Sequence, residues 1–235
     1  MKYEKIVKAV YLSRPNRFTA VVSINGITEK SHVKNTGRLK ELLVPGVTVF
    51  IEDYLGRMGT RKMRYSLIAV MKGDKIVNID SQAPNKVVKE ALENGEIVLP
   101  EMKGPLEIHS EKKYGNSRFD IYIKDAYSRE GFIEIKGCTL ENEGTALFPD
   151  APTQRGVKHL KELKKAAESG YFAAVFIVIQ MKGVSLFQPN KTSHREFADA
   201  MREAYESGVK ILCCDCDVTE NSITLSAPVP FRLYD

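Results

Sequence analysis

No stretch of this sequence approaches the roughly 20 consecutive apolar residues that a membrane-spanning helix requires. The most apolar run, residues 171–180, falls well short. The first ten residues, MKYEKIVKAV, interleave charge with apolar positions and make a poor signal peptide. A soluble, cytoplasmic protein without a membrane partner is therefore expected. Cysteine is scarce: Cys138 stands alone and Cys213, Cys214 and Cys216 share the segment ILCCDCDV. A four-thiolate zinc site needs a second cysteine pair, and none is present. Free thiols on a buried strand in a reducing compartment fit this usage better. Several catalytic signatures are also missing. There is no Walker-type loop, no G-x-G-x-x-G after a strand, no H-E-x-x-H and no G-x-S-x-G elbow. Internal repeats and low-complexity segments are absent too.

What is present suits a globular protein. With 43% hydrophobic and 28% charged residues over 235 positions, a core forms without disulfides or metals. The net charge of +5 is uneven. Residues 1–80 hold 15 Lys and Arg against 7 Asp and Glu, which leaves the remainder net negative. A basic first third points to an anionic partner.

The first 80 residues read as short strands: KIVKAVYL, RFTAVVSI, TVFIEDYL, YSLIAVM and KIVNI. Turn signals at Arg14-Pro15-Asn16, Asn25-Gly26, Pro45-Gly46 and Lys72-Gly73-Asp74 separate them. One short helix is expected over residues 37–43. About five strands with one helix suggest a small OB-like barrel, with an SH3-like barrel as the competitor. The period changes at residues 83–94, where Val87, Val88, Ala91 and Leu92 share a helical face. The domain boundary is placed near residue 82, giving a barrel over 1–82 and an α/β domain over 83–235. The second domain should contain strands at 106–114, 117–123 and 131–138. A helix at 153–169, a buried strand at 171–180 and a helix at 193–208 capped by Ser193 follow, then two final strands. His194 reads as a capping-region residue.

Three residues carry the chemistry. Asp120 lies in one expected strand, and Glu134 and Lys136 lie two apart in the next, so their side chains share a face while Ile133 and Ile135 point away. If the strands pair, Asp120 sits beside Glu134. Two carboxylates so placed can seat Mg²⁺ or Mn²⁺, and a lysine beside them can position water or stabilise a phosphate. Arg155 and His159, four apart on the following helix, share a face and could reach that phosphate. Glu111 and Glu90 are further candidate acids, with Glu111 the stronger as a third metal ligand. In the barrel, Arg14, Arg17, Arg38, Arg57, Arg61, Lys62 and Arg64 are candidate DNA contacts. Tyr54 and Tyr65 flank the densest basic run and are candidate stacking platforms for single-stranded DNA.

The chain resembles the SfsA family, the sugar fermentation stimulation proteins. The resemblance is carried by residues 32–46 (HVKNTGRLKELLVPG), 80–92 (DSQAPNKVVKEAL), 113–120 (KYGNSRFD), 133–136 (IEIK), 148–160 (FPDAPTQRGVKHL) and Val229-Pro230. It implies an N-terminal OB-like domain followed by a restriction-endonuclease-like domain of the PD-(D/E)xK nuclease superfamily. It also implies non-specific DNA binding and a link to sugar, particularly maltose, metabolism. The expected catalytic positions fall on Asp120, Glu134 and Lys136. The chain departs from the family at Val33, often Cys, and at Gln154, often Glu, which removes any acidic role there. Two functions follow as expectations: a Mg²⁺-dependent nuclease, or a catalytically silent DNA-binding regulator on a nuclease scaffold. By analogy with the superfamily, a homodimer is a further expectation.

Overall fold

The computed structural model describes residues 1–234. Five strands close the barrel: β1 (Ile6–Asn16), β2 (Thr19–Ile24), β3 (Ile27–Val33), β4 (Thr48–Asp53) and β5 (Tyr65–Lys72). Neighbours pair antiparallel as β1–β2, β2–β3, β1–β4 and β4–β5. Parallel pairing of β3 with β5, from Ser31↔Tyr65 to Val33↔Leu67, completes the circuit. The result is OB-like. A sixth strand, β6 (Lys75–Asn78), extends β5 as a hairpin.

Two details of the barrel differ from expectation. β3 was not anticipated, because ITEKSHV offers few apolar residues to mark it. Its turn is legible, however: Asn25 and Gly26 adopt φ of 49° and 84°, as a two-residue hairpin with the strands' own twist requires. The expected helix at 37–43 is instead an irregular turn, with Leu42 and Leu43 amides both bonded to the Leu39 carbonyl. Leu39 has φ of 50°, which no right-handed helix accommodates. Burial of Leu39, Leu42 and Leu43 in the core outweighs their helical propensity.

The second domain is a mixed six-stranded sheet ordered β15-β14-β12-β9-β8-β7. Its members are β7 (Glu107–Tyr114), β8 (Ser117–Lys124), β9 (Glu130–Cys138), β12 (Phe172–Ile179), β14 (Lys210–Val218) and β15 (Ile223–Pro228). β9, β12 and β14 run parallel, which is why β12 is apolar along its whole length and buried on both faces. Helix α1 (Ala83–Glu93) lays Val87 and Val88 on one face, against Ile121, Ile133 and Ile135. Helices α2 (Gln154–Glu168) and α3 (Lys191–Glu206) cover the other, with Val157, Leu160 and Phe197 in the core that contains Phe132 and Ile177. Cys213 and Cys216 fall into different cores, so the cysteines do not gather as zinc ligands. Burial raises the pKa of each.

A small third sheet, β10 (Glu141–Asn142), β11 (Thr145–Phe148) and β13 (Leu186–Pro189), was not expected, its strands being too short to carry a period. Thr153 caps α2, its side chain accepting from the Gly156 amide at 3.1 Å. The cap of α3 is Asn190, not Ser193: the Asn190 side chain accepts from the Ser193 amide at 3.1 Å. α3 is interrupted at His194, where φ is −156° and ψ is 91°. No helix among the described residues is long and apolar enough to cross a membrane.

A buried polar network joins the two domains. The Gln180 amide, at the end of β12, donates to Asn78 Oδ1 at 2.9 Å and to the Asp80 carbonyl at 3.1 Å. Asp80 accepts from Lys34 at 2.6 Å and from the Tyr3 hydroxyl at 3.3 Å. Gly137, immediately after Lys136, packs on this network so tightly that a Cβ would strike Gln180 Oε1 and lie 2.8 Å from Pro84 Cγ. Gly137→Ala is therefore expected to destabilise the protein by about 1–3 kcal/mol. Urea unfolding monitored by circular dichroism reads this, and an unchanged midpoint would contradict the packing described.

Candidate metal centre

β8 and β9 pair from Ile121↔Ile133 to Lys124↔Glu130, and the ladder stops at Asp120. Here the side chain replaces the ladder. Asp120 Oδ2 accepts the Ile135 backbone amide at 2.8 Å, and its Oδ1 accepts from the Asn85 amide on α1 at 2.9 Å. The strand alternation anticipated for β9 holds: Ile133 and Ile135 join the α1-side core, whereas Glu134 meets α2. Glu134 is only 2% exposed. Its Oε1 accepts from both Lys136 Nζ and His159 Nδ1. Arg155 Nε lies 3.4 Å from His159 Nε2, so the ε nitrogen accepts and the δ nitrogen carries the proton given to Glu134. Phe119 meets the imidazole edge-on, with ring centroids 6.2 Å apart.

The other oxygen of Glu134 decides what the site can do. Oε2 is buried and has no hydrogen-bond partner. Buried carboxylate oxygens are nearly always satisfied, and an orphan costs several kilocalories unless something charged reaches it (about 1–3 kcal/mol even for neutral groups). The two carboxyls respond differently to burial. Burial pushes Asp120 up and the charge of Glu134 pushes it further; the Ile135 amide, Lys136 and Asn85 only partly offset this. Burial also pushes Glu134 up, but the His159 hydrogen bond and the Lys136 charge outweigh it and hold that carboxyl below the usual range. Glu134 thus has one oxygen without a partner and a lowered pKa, beside an aspartate whose pKa is raised by burial and by the Glu134 charge.

The remaining sequence candidates divide. Arg155 and His159 are both brought to the site, His159 directly and Arg155 through it. Glu111 is not. The ladder register places it across from Asp120, but its backbone is left-handed there (φ 58°) and its exposed carboxylate pairs with Arg118 at 3.2 Å. Glu90, five residues from Asn85 and so on another face of α1, pairs with the Met1 ammonium at 2.8 Å. No group of three or more His, Cys, Asp or Glu side chains able to hold a metal gathers among the described residues. The anchors of Asp120, Asn85 and the Ile135 amide, were missed by sequence reasoning. An amide on a neighbouring helix and a backbone N–H leave no local pattern to find.

In the barrel, four of the seven basic candidates are already hydrogen-bonded or ion-paired. The Arg14 guanidinium donates to the carbonyls of Arg17, Asn35, Gly37 and Arg38 at 2.7–3.1 Å. Arg57 pairs with Glu4 at 3.0 Å and Arg64 forks onto Asp53 with both contacts at 2.7 Å. Arg61 stacks on Tyr54, 3.7 Å from the ring centroid, and donates to Ser66. Arg17, Arg38 and Lys62 are exposed. Tyr65 is buried and Tyr54 is covered by Arg61, so neither forms an open stacking platform as expected.

Two family models match the chain: "SfsA N-terminal OB domain" over residues 12–79 and "Sugar fermentation stimulation protein RE domain" over residues 82–222. A sugar fermentation stimulation protein homolog of Desulfitobacterium hafniense is 50% identical over 235 residues, covering all of both chains. One from Ruminiclostridium cellulolyticum is 48% identical over 233 residues, covering 99% of this chain and all of its own. Among solved structures, Pyrococcus furiosus SfsA in complex with Ca²⁺ superimposes with a TM-score of 0.87 at 30% identity, over 99% of this chain and 98% of that one.

The geometry makes a pH prediction. If a divalent ion is held at Asp120, protons compete for it, and affinity should fall as pH drops through the raised pKa of that carboxyl, earlier than for an ordinary aspartate. Glu134→Gln removes the second largest cause of that shift and should move Asp120 downward. Carboxyl ¹³C NMR titration measures it, and an unmoved Asp120 would contradict the coupling.

Proposed function

Because the chain belongs to the SfsA family, we propose that it binds DNA without sequence preference and hydrolyses phosphodiesters with a divalent cation held at Asp120 and Glu134. The observation that carries this reading is the buried, partnerless Glu134 Oε2 beside a carboxyl of raised pKa. The donor set fits a hard cation. Mg²⁺ and Mn²⁺ take one or two carboxylates and complete their shells with water and substrate oxygens, so two carboxylates suffice. The relative from Pyrococcus furiosus is a Ca²⁺ complex, which supports a divalent ion of this kind. When bound, the cation supplies charge neutralisation and Lewis acidity at the phosphate.

The chain's own residues do the rest. His159 and Lys136 hold one oxygen of Glu134, which leaves Oε2 without a partner. Lys136, partly exposed at the same oxygen pair, is placed to donate to a phosphate oxygen or orient the attacking water. Asn85 and the Ile135 amide hold Asp120 in place from two directions, which preorganises the pair. Arg155 adds positive charge at the first turn of α2, where the helix amides already favour an anion. Arg17, Arg38 and Lys62 serve the backbone of the nucleic acid from the barrel.

Two experiments separate binding from chemistry. Purified protein with Mn²⁺ is expected to nick plasmid or degrade single strands. Lys136→Ala should lower the rate by at least about 100-fold while DNA affinity stays within about twofold. Equal cleavage by the variant would assign the activity to a contaminant. Binding with cleavage absent from the wild type would favour the silent regulator instead. For affinity, a plot of log K against log salt should have a slope of roughly −2 to −3 if three cations contact phosphates. The triple change Arg17→Ala, Arg38→Ala and Lys62→Ala should flatten that slope, and an unaltered slope would place the contacts elsewhere.

A further inference from the structure

A cleft of about 310 Å³ with a mixed polar and apolar lining lies between the barrel and the α/β domain. The loop Asn35–Gly37 forms its barrel side, and Phe148–Thr153 forms the opposite side. Its position relative to the metal centre is set by shared elements. Ser81 lines the cleft just before α1, which carries Asn85. Gly137 lines it on β9, one residue after Lys136. Thr153 lines it as the cap of α2, which carries His159. Each of these three elements therefore serves the metal centre and the cleft together.

The lining decides what can enter. No lysine or arginine contributes to it, whereas the exposed carboxylate of Asp150 does. The one charged side chain in the lining is thus an anion, and the guanidinium of Arg14 is spent on the Asn35 and Gly37 carbonyls, so the lining itself offers a phosphate no cation. It suits a neutral group that presents N–H donors to Asp150 and accepts from Asn35, Thr36 or Ser81. Phe148 and Pro149 supply an apolar wall. The volume is at the small end of ligand sites, matching one planar ring system and not a base pair. Two glycines keep the space open. A Cβ at Gly37 would stand 2.7 Å from Asp150 Oδ2 and 2.9 Å from Asn35 Oδ1, and one at Gly137 would strike Gln180.

We infer that this cleft receives a single unpaired nucleobase bearing an amino group, next to the phosphate held at the metal centre. The substrate class is then single-stranded or frayed DNA, not intact duplex. This rests on the hydrolase reading above and adds a subsite to it.

The test uses full-length protein with Ca²⁺ and single-stranded oligonucleotides carrying 2-aminopurine at successive positions, beside the matching blunt duplexes. Thr36→Trp fills the cleft and Asp150→Asn keeps its shape while removing its charge; both positions are exposed, and thermal melts verify folding. With wild-type protein, fluorescence should rise on binding at one position only, as that base leaves its stack. Thr36→Trp should abolish the rise and weaken single-strand affinity by about tenfold, the scale of one lost base contact. Asp150→Asn should reduce both, and neither change should alter duplex affinity or the thermal shift produced by Mn²⁺. Binding that is intact yet identical in wild type and Thr36→Trp at every position overturns the cleft proposal alone. Failure of the wild type to bind any oligonucleotide overturns it together with the DNA reading.

Discussion

The ion-paired, hydrogen-bonded grip on one oxygen of Glu134 is the constraint on which the candidate centre depends. A buried carboxylate costs several kilocalories when unpaired, and the usual remedy is to satisfy both oxygens or to protonate the group. Neither happens here. Lys136 and His159 converge on Oε1 and keep the group ionised, and Oε2 is left with no donor. Asp120 stands beside it with its carboxyl pushed up by burial and by Glu134 itself. The pair therefore combines one unpartnered buried carboxylate oxygen with a second carboxyl of raised pKa.

Strand geometry makes this arrangement stable. The β8–β9 ladder ends where Asp120 takes over an amide of β9, so the carboxylate is both a backbone acceptor and a member of the site. Because β9 is sandwiched between β8 and β12, and α1 and α2 pack on its two faces, the site is fixed from every side. Through Gly137 and Gln180 the same strand abuts the polar network of Asn78, Asp80 and Lys34 that ties down the barrel. Positions of the two domains and of the carboxylates are thus set by one connected body of packing.

Much of this was legible in the sequence, for reasons that can be named. The i, i+2 spacing of Glu134 and Lys136 announced a shared face, and the apolar run of β12 announced a strand covered on both faces. The helix start expected at residue 153 is the one the chain adopts, with Thr153 as its cap. The misses share a cause: they are tertiary. Leu39 gives up helical geometry for burial, β3 is held by its neighbours and not by apolar periodicity, and β10, β11 and β13 are too short to show one. The basic barrel was legible as charge, but not the partners of that charge. Arg14, Arg57 and Arg64 are structural clamps, so the surface left for an anion is smaller than counting suggested. Glu111 satisfied every local criterion, yet a left-handed backbone sends it to Arg118.

The most direct examination of the central claim is anomalous diffraction from crystals soaked in Mn²⁺. A single strong peak within about 2.0–2.6 Å of carboxylate oxygens from both Asp120 and Glu134, with Glu134 contributing Oε2, is the result expected. A peak elsewhere, or well-ordered Asp120 and Glu134 with no peak between them at saturating Mn²⁺, would contradict it.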